Sequence, residues 1–362
     1  MKILHAYCLN YNIGDYALGV GVKNLLRDNL DIDLIAETNL QGTVFNEYFI
    51  NNVVNKNYDM LVIGGGGVIH GAHWPNGWFW LIEQKLLKQI EIPFIVYGVG
   101  YNYFIDEGGM PEVGKAHLTE TIERAAFFSV RNDESIDRLK SQIAIGDKVN
   151  EIPDPGFHIN LNRTYECLET EPFIVVQLAY DKPEHRFGST AKIRLFVREL
   201  VKSLSPLSER YKIIFAPHVF DDIELSKLVS QEIENSEIWD FGGYAFDRCD
   251  ECYGYYEKAK FVLAMRGHGQ IIPIAFNTPV ISLENHPKHS GLMRKLGLEK
   301  YNVKVTSDNF STELSFLIAE LERDYDSYIE RLIGINKNIS QWSKDAFGII
   351  RQALVNKDNT SE

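Results

Sequence analysis

The sequence predicts an α/β protein made of two Rossmann-like domains followed by a helical C-terminal segment. Three observations carry this. The chain has 362 residues, more than one hydrophobic core usually organises, so two domains are expected. Short apolar runs alternate with stretches of helical spacing almost throughout, the pattern of repeated βαβ units. Some of those runs, Met60-Leu61-Val62-Ile63 and Phe94-Ile95-Val96-Tyr97, lack polar alternation, as expected of strands buried on both faces of a parallel sheet.

Taken in order, Ile3 to Tyr7 reads as a first strand, Tyr16 to Asp28 as a helix, Leu34 to Glu37 as a strand and Phe45 to Asn55 as a helix. The strand Met60 to Ile63 runs into Gly64 to Gly67, and Phe94 to Tyr97 runs into Gly98-Val99-Gly100. Ala125 to Val130 and Asp133 to Lys140 supply one more strand and helix. The rhythm breaks near Glu151-Ile152-Pro153-Asp154-Pro155-Gly156, and a polar stretch follows. A new apolar run, Phe173 to Leu178, opens the second half, and the alternation repeats: strand Lys212 to Ala216, helix Ile223 to Ile233, a short strand Ile238 to Phe241, helix Asp250 to Lys258, a strand ending at Arg266, and a strand from Pro279 to Leu283. After Asn309 the pattern is helical. The expected division is residues 1–160, 161–325 and 326–362, with the last segment packing back on the first domain.

Composition narrows the function. Hydrophobic residues make up 45% and charged residues 24%, ordinary for a globular protein. A formal charge of -13 argues against nucleic-acid binding driven by phosphate neutralisation and provides no polybasic face for anionic lipid. No run reaches membrane-spanning length and the start carries no cleavage signal, so the cytoplasm, including the inner membrane surface, is the expected compartment. Four cysteines make no disulfide framework. Cys249 and Cys252 are spaced for a metal or redox pair, and equally for two thiols at a helix start; with no second pair, no metal is expected.

The chemistry concentrates at strand ends. Phe261 to Ala264 is an apolar run that breaks off into Met265-Arg266-Gly267-His268-Gly269 before the spacing widens to a helical one. Strand, polar turn and helix in that order put Arg266 and His268 at the carboxyl edge of a sheet beside free helix N–H groups, an arrangement suited to an anion. His286-Pro287-Lys288-His289 follows the next strand, so Lys288 adds a cation near the same edge. Ser129-Val130-Arg131-Asn132-Asp133 repeats the strand-end arginine: Arg131 serves either a partner such as Asp133 or Asp154, or a ligand carboxylate or phosphate gripped through a planar fork.

Other turns admit two readings each. Asn12-Ile13-Gly14-Asp15 suits a sharp turn into a helix, with Asp15 as its N-cap or as a ligand-facing acid or base. Gly64 to Gly67 lacks the Gly-Lys-Ser/Thr ending of a phosphate-binding loop, and Gly98-Val99-Gly100 lacks the third glycine of a dinucleotide fingerprint. Gly65 and Gly66 still allow close backbone approach, and the loop with His70, His73, Trp74 and Trp78 suits either stacking on a sugar or internal packing. Pro217-His218-Val219-Phe220-Asp221-Asp222 ends another strand, with His218 as a satisfied histidine or a catalytic base.

In this order, Asn12 to Asp15, Gly64 to Gly67, Tyr97 to Gly100, Val130-Arg131-Asn132-Asp133-Glu134-Ser135, Pro153-Asp154-Pro155, Pro217-His218 with Asp221 and Asp222, and Met265 to His268 with Pro279 to Lys288 resemble the polysaccharide pyruvyl transferase family, over roughly residues 10 to 300. The resemblance implies a fold similar to B-type glycosyltransferases, with a cleft between the domains, the acceptor on the N-terminal side and the donor on the C-terminal side. It implies transfer of a pyruvyl group from phosphoenolpyruvate to a sugar as a ketal, without a cofactor. The family's phosphoenolpyruvate contacts carry over onto Arg131, Arg266 and His268. The middle residue of the Arg-x-His motif, often leucine in the family, is Gly267 here, and Glu284-Asn285-His286-Pro287 precedes Lys288.

The residues fit such a reaction. A donor carrying phosphate and carboxylate needs at least two cationic grips. Ketal formation needs an acid for the enol carbon and a base for the sugar hydroxyl, and histidine is the side chain suited to proton transfer near neutrality. His268 is the expected donor ligand and acid; Asp15 and His218 are candidates on the acceptor side, with Asn12, Gly65, Gly66 and Trp74 as substrate-facing groups. The expected partners are phosphoenolpyruvate and a saccharide of a cell-surface polysaccharide or its precursor, lipid-linked or free. A nucleotide-sugar glycosyltransferase and a non-catalytic carbohydrate-binding protein of the same fold are the alternatives.

Overall fold

The computed structural model describes residues 1–9, 12–71, 74, 76–102, 109–160, 164–239 and 249–358. The chain divides into two compact units. The first comprises Met1–Asn10, Asp15–Leu161 and Ile339–Glu362, the second Tyr11–Gly14 and Asn162–Asn338.

The first unit carries strands β1 (Lys2–Tyr7), β2 (Leu34–Asn39), β3 (Met60–Ile69), β4 (Phe94–Tyr101), β5 (Phe127–Arg131) and β6 (Val149–Ile152). They form one parallel sheet in the order β2-β1-β3-β4-β5-β6. Helix α1 (Ile13–Asn29) follows β1; α2 (Glu47–Phe49) and α3 (Asn55–Asn57) flank a π-helical stretch at Ile50–Val54; α4 (Glu112–Arg124) and α5 (Ser135–Gln142) follow β4 and β5. Apolar clusters sit on the sheet. One gathers Leu61, Ile63, Val96, Phe128 and Trp80, the other Ile3, Val62, Ile95 and Tyr97. Alternate residues of β3 and β4 thus feed different clusters, which is why their sequences read as continuous apolar runs.

The glycine-rich stretches expected as turns lie inside strands. Gly64 to Gly67 belong to β3, with Gly65 at φ 82° and Gly66 at φ 96°, and Gly98 in β4 has φ 61°. The β3–β4 register shifts between Gly66 and Ile69, and the β4–β5 register between Val96 and Val99. Glycine supplies the left-handed backbone a bulge requires, so these residues bend the strands rather than end them.

The second unit repeats the plan with β7 (Phe173–Gln177), β8 (Lys212–Phe215), β9 (Ser236–Ile238), β10 (Val262–Ala264), β11 (Val280–Glu284) and β12 (Asn302–Lys304). The order is β12-β11-β10-β7-β8-β9, again all parallel. Its helices are α6 (Pro183–Phe187), α7 (Thr190–Ser208), α8 (Asp222–Ser230), α9 (Cys249–Lys258), α10 (Gly267–Ala275), α11 (Pro287–Lys295) and α12 (Phe310–Arg323). A final helix, α13 (Tyr325–Asp358), begins in the second unit and ends in the first. There Ala346, Phe347 and Ile350 join the cluster around Val62. Among the described residues no helix is long and apolar enough to cross a membrane.

These strand orders locate the crevices. In the second sheet the chain reverses direction between β7 and β10, and in the first between β1 and β3. Ligands of open α/β sheets bind beyond the carboxyl ends of the strands at such switch points.

Candidate active site

In the second unit the switch point is occupied by Arg266. This residue leaves β10 and stands as the N-cap of α10, with no side-chain cap bond of its own. Its backbone N–H donates to Gln177 Oε1, at the end of β7, at 2.8 Å. Its Nε donates to Asp222 Oδ2 at 2.7 Å and its Nη2 to Asp222 Oδ1 at 2.5 Å, a bidentate pair; Nη2 also reaches Asp181 Oδ1. The paired carboxylates raise the guanidinium pKa against the opposing effect of burial, so the arginine stays charged.

Asp222 ties this corner together. It is fully buried and accepts from Arg266 Nε and Nη2, Tyr180 N, His218 N and Val219 N. One carboxylate thereby fixes the exits of β7, β8 and β10. Asp181 is different: its side chain keeps 30% of its exposure, and Arg186 also grips both its oxygens at 2.8 Å. Although burial opposes it, the two arginines hold the Asp181 carboxyl far below the usual carboxylate range. Arg186 in turn donates through Nη1 to Asn285 Oδ1 at 3.1 Å. Two arginines face two aspartates, so their formal charges cancel.

His268 lies in the first turn of α10 and packs against the start of α1. A Cβ placed on Gly14 would sit 2.4 Å from its Nδ1 and 2.7 Å from its Cγ; only glycine allows that approach. Asn12 caps α1, its Oδ1 accepting from Gly14 N at 2.9 Å. The cap expected from Asp15 therefore comes from Asn12, and Asp15 is an acid in the first turn. At Gly267 an added Cβ would meet nothing within 4 Å, so space lies over the amino end of α10.

His218, the candidate acceptor-side base, lies in the interior of the second unit. It is 1% exposed, its Nε2 is bonded to Tyr256 Oη at 2.6 Å, and its carbonyl accepts from Ile13 N at 3.2 Å. Burial, then the charges of Arg266 and His268, keep its pKa well below the ordinary histidine range. It is a neutral buried node that joins β8 to the start of α1. The backbone of Lys288 lies in the first turn of α11; its side chain is outside the described residues.

In the first unit, Arg131 ends β5 with its side chain 8% exposed. Nε donates to Asp133 Oδ2 at 2.6 Å and Nη1 to Asp154 Oδ2 at 3.2 Å, the internal pairing that a strand-end arginine also allows. Its pKa is raised by those carboxylates against burial, with Asp15 adding to them. A Cβ on Gly100 would come within 2.5 Å of Nε. Around the first switch point, a Cβ on Gly66 would lie 3.6 Å from Asp15 Oδ1 and one on Gly65 2.9 Å from Leu18 Cβ. Gly65 and Gly66 thus let α1 pack on β3, with Asp15 beside them.

The aromatic loop divides. Trp78 and Trp80 are fully buried and pack edge to face at 5.4 Å, with Trp78 Nε1 donating to His117 Nδ1 at 3.2 Å. They are core, not pocket lining. Trp74 is partly exposed and packs on Phe79 at 4.8 Å; His73 falls outside the described residues. Cys249 and Cys252 are buried cysteines at the start of α9, burial pushing the Cys252 thiol well up. Among the described residues no three His, Cys, Asp or Glu side chains are grouped to hold a metal.

Sequence reasoning missed Asp181, Arg186 and Tyr256, the partners that hold the Arg266 corner. The only available sign was position: Asp181 stands just beyond the apolar run Phe173 to Leu178, at the carboxyl end of the central strand.

Comparison with known proteins identifies relatives of fold and of family. A UDP-GlcNAc 2-epimerase from Neisseria meningitidis, solved with UDP-GlcNAc, superimposes with a TM-score of 0.55 at 13% identity, covering 98% of this chain and 100% of that one. The MnaA–UDP structure from S. aureus gives 0.54 at 10% identity, covering 91% and 90%. A glycosyltransferase from Rickettsia africae gives 0.55 at 13% identity, covering 98% and 96%. At such identities the likeness is one of fold, that of B-type glycosyltransferases with a helical C-terminal segment. No curated protein sequence matches the chain. The model of the polysaccharide pyruvyl transferase family matches residues 12–287, which contain the second switch point and both strand-end arginines. The chain belongs to the polysaccharide pyruvyl transferase family.

Proposed function

We infer that the protein transfers the pyruvyl group of phosphoenolpyruvate to a sugar of a cell-surface polysaccharide or its precursor, forming a ketal. The observation that carries this reading is the Arg266–His268 corner at the second switch point, in a chain of this family. A charged arginine and a histidine stand at the amino end of a helix with open space above it, which suits a phosphate.

In the proposed reaction, His268 gives a proton to the methylene carbon of phosphoenolpyruvate, which becomes the methyl group. The neighbouring carbon becomes an oxocarbenium-like centre. One sugar hydroxyl attacks it as a base takes the hydroxyl proton. A second hydroxyl of the same sugar then attacks, its proton passing to the His268 imidazole that gave up a proton in the first step, as the carbon–oxygen bond to phosphate breaks and phosphate leaves with the electron pair. Proton transfer of this kind contributes ~10²–10⁴-fold.

The charge balance adds a requirement. Arg266 and Arg186 are neutralised by Asp222 and Asp181, so an entering phosphate must replace one carboxylate. Asp181 is the exposed one, and we assign it the role of placeholder for the donor anion. Arg131, already engaged by Asp133 and Asp154, is assigned a supporting part.

Thermal-shift titrations with phosphoenolpyruvate, UDP and GDP, combined with phosphate release in the presence of saccharide acceptors, test the reading. Stabilisation by phosphoenolpyruvate that is lost in Arg266→Ala, with release lost in His268→Gln, is the expected result. Stabilisation by a nucleotide with none by phosphoenolpyruvate would establish the glycosyltransferase alternative instead.

A further inference from the structure

Beside the Arg266 corner, the second unit has an open cavity of about 500 Å³, within the usual size range for small-molecule sites. It lies between the exits of β7 and β8 and is lined by Tyr180, Lys182, Phe220, Asp221, Glu224 and Lys227 among others. We propose that this cavity is a sugar subsite, which holds a neutral pyranose ring of the saccharide acceptor next to the donor anion. The assignment rests on the pyruvyl transfer reading above.

Three features point to a sugar. First, Phe220 is 69% exposed although it stands only two residues beyond the buried His218 at the exit of β8. A large ring left in water at the mouth of a cavity, with Tyr180 in the same lining, provides the apolar face on which the C–H side of a pyranose stacks. Second, the polar lining has two lysines and two carboxylates, so its formal charge is zero. That balance supplies donors and acceptors for hydroxyls, and among the described residues the lining has no arginine fork to grip a diphosphate. Glu224 is also close enough to Tyr180 to push its phenol pKa up, after burial. Third, Lys182 has φ 51°, a left-handed conformation that is unfavourable for a side-chain-bearing residue and that concentrates at functional sites.

The link to the donor corner is covalent and direct. Tyr180 N donates to Asp222 Oδ1 at 3.0 Å, the atom that also accepts from Arg266 Nη2, and Asp181 follows Tyr180 in the chain. A ring seated on Tyr180 and Phe220 therefore lies beside the carboxylate assigned as placeholder. This moves one sugar contact from the N-terminal domain, where the acceptor was expected, to the second unit.

The test uses the full chain and a panel of methyl glycosides of neutral hexoses and N-acetylhexosamines, with UDP as the charged probe. Saturation-transfer NMR follows binding in the wild type, Phe220→Ala and Lys227→Ala, and a phosphoenolpyruvate thermal shift is measured on the same samples. The expected result is contact with at least one glycoside, weakened at least tenfold by Phe220→Ala, with the phosphoenolpyruvate shift unchanged. Glycoside binding that stays within twofold in both variants, no glycoside contact at all, or UDP competing for the glycoside signal overturns the proposal. The donor arm is separate: glycoside binding through Phe220 without a phosphoenolpyruvate shift sinks the pyruvyl reading and leaves the subsite standing.

Discussion

The two strand-end arginines look alike in sequence and differ in what surrounds them. Each stands at the exit of a parallel strand, each is largely buried, and each is chelated by two aspartates. Arg131, however, sits at the end of β5, two strands away from the first sheet's switch point, whereas Arg266 lies at the switch point of the second. Both carboxylates on Arg131 are nearly closed to solvent, with side-chain exposures of 11% for Asp133 and 2% for Asp154. Asp133 also accepts from Ser135 Oγ, whose oxygen accepts from Tyr101 N at 2.8 Å. The Arg131 corner is thus a lock between β4, β5 and β6. The Arg266 corner has one buried partner, Asp222, and one partly exposed partner, Asp181. The same residue sign therefore marks a closed clasp in one unit and, on the proposed reading, an exchangeable anion site in the other.

Alanine at each arginine separates the two roles. Arg131→Ala leaves Asp154 buried without its cation, and its expected cost is ~3–5 kcal/mol of unfolding free energy. Arg266→Ala leaves Asp222 with three backbone N–H donors and Asp181 with Arg186. Its expected cost is smaller, ~1–3 kcal/mol, yet it abolishes the phosphoenolpyruvate shift. Urea unfolding and ligand titration of both variants check this crossed pattern; equal stability losses would erase the distinction.

The aspartates sharpen the contrast by the sign of the effect. Asp181→Asn removes the placeholder charge, so phosphoenolpyruvate binds several-fold more tightly with little change in stability. Asp222→Asn frees Arg266 from its bidentate frame and replaces two acceptor oxygens by one, so both binding and stability fall. Weaker phosphoenolpyruvate binding in Asp181→Asn would remove the placeholder assignment.

Much of this was legible in the chain itself. The apolar runs at Met60 to Ile63 and Phe94 to Tyr97 marked buried parallel strands because no face of them meets water, and the sudden Arg-Gly-His after Phe261 to Ala264 marked a strand exit. The glycine bulges in β3 and β4 were not legible, since a glycine that ends a strand and one that bends it have the same composition. The 19-residue helix α7 was overlooked although Ile193, Phe196, Leu200, Leu204 and Leu207 repeat at helical spacing and are buried. The Asp181–Arg266 pair spans 85 positions; long-range ion pairs leave no local pattern, so the difference between clasp and exchangeable site emerges only with the fold.

Acid separates these corners from the rest of the molecule. His5 and His158 are buried in the first unit, and burial brings each down to a pKa of about 4. Their unfolded value is near 6.5, so the unfolded chain binds protons first as pH falls. The stability they contribute is complete above pH ~6.5 and is lost progressively toward pH 4, on the order of 2–3 kcal/mol per histidine. Asp181, held low by its arginines, gives up its contribution only below the ordinary carboxylate value of ~3.9. Unfolding free energies measured from pH 7 to 4 in wild type and His158→Gln should differ in slope by up to one proton. An unchanged slope would mean that His158 is not the titrating group.

The smallest effect is expected at Gly267, between the two residues assigned to the donor. The position has no left-handed backbone and open space where a Cβ would stand. Leucine is therefore accommodated without moving Arg266 or His268, and it narrows the unfolded ensemble, an effect worth ~0.4–1 kcal/mol for glycine replaced at a compatible site. Gly267→Leu is expected to unfold at the same temperature or slightly higher and to keep phosphoenolpyruvate affinity within about twofold. The neighbouring Gly14→Ala gives the opposite outcome, because its Cβ collides with the His268 ring and must displace it. If Gly267→Leu instead weakens phosphoenolpyruvate binding as much as Gly14→Ala does, then the space over α10 is occupied by the donor itself, and the anion sits on the helix N–H groups rather than against the Arg266 guanidinium.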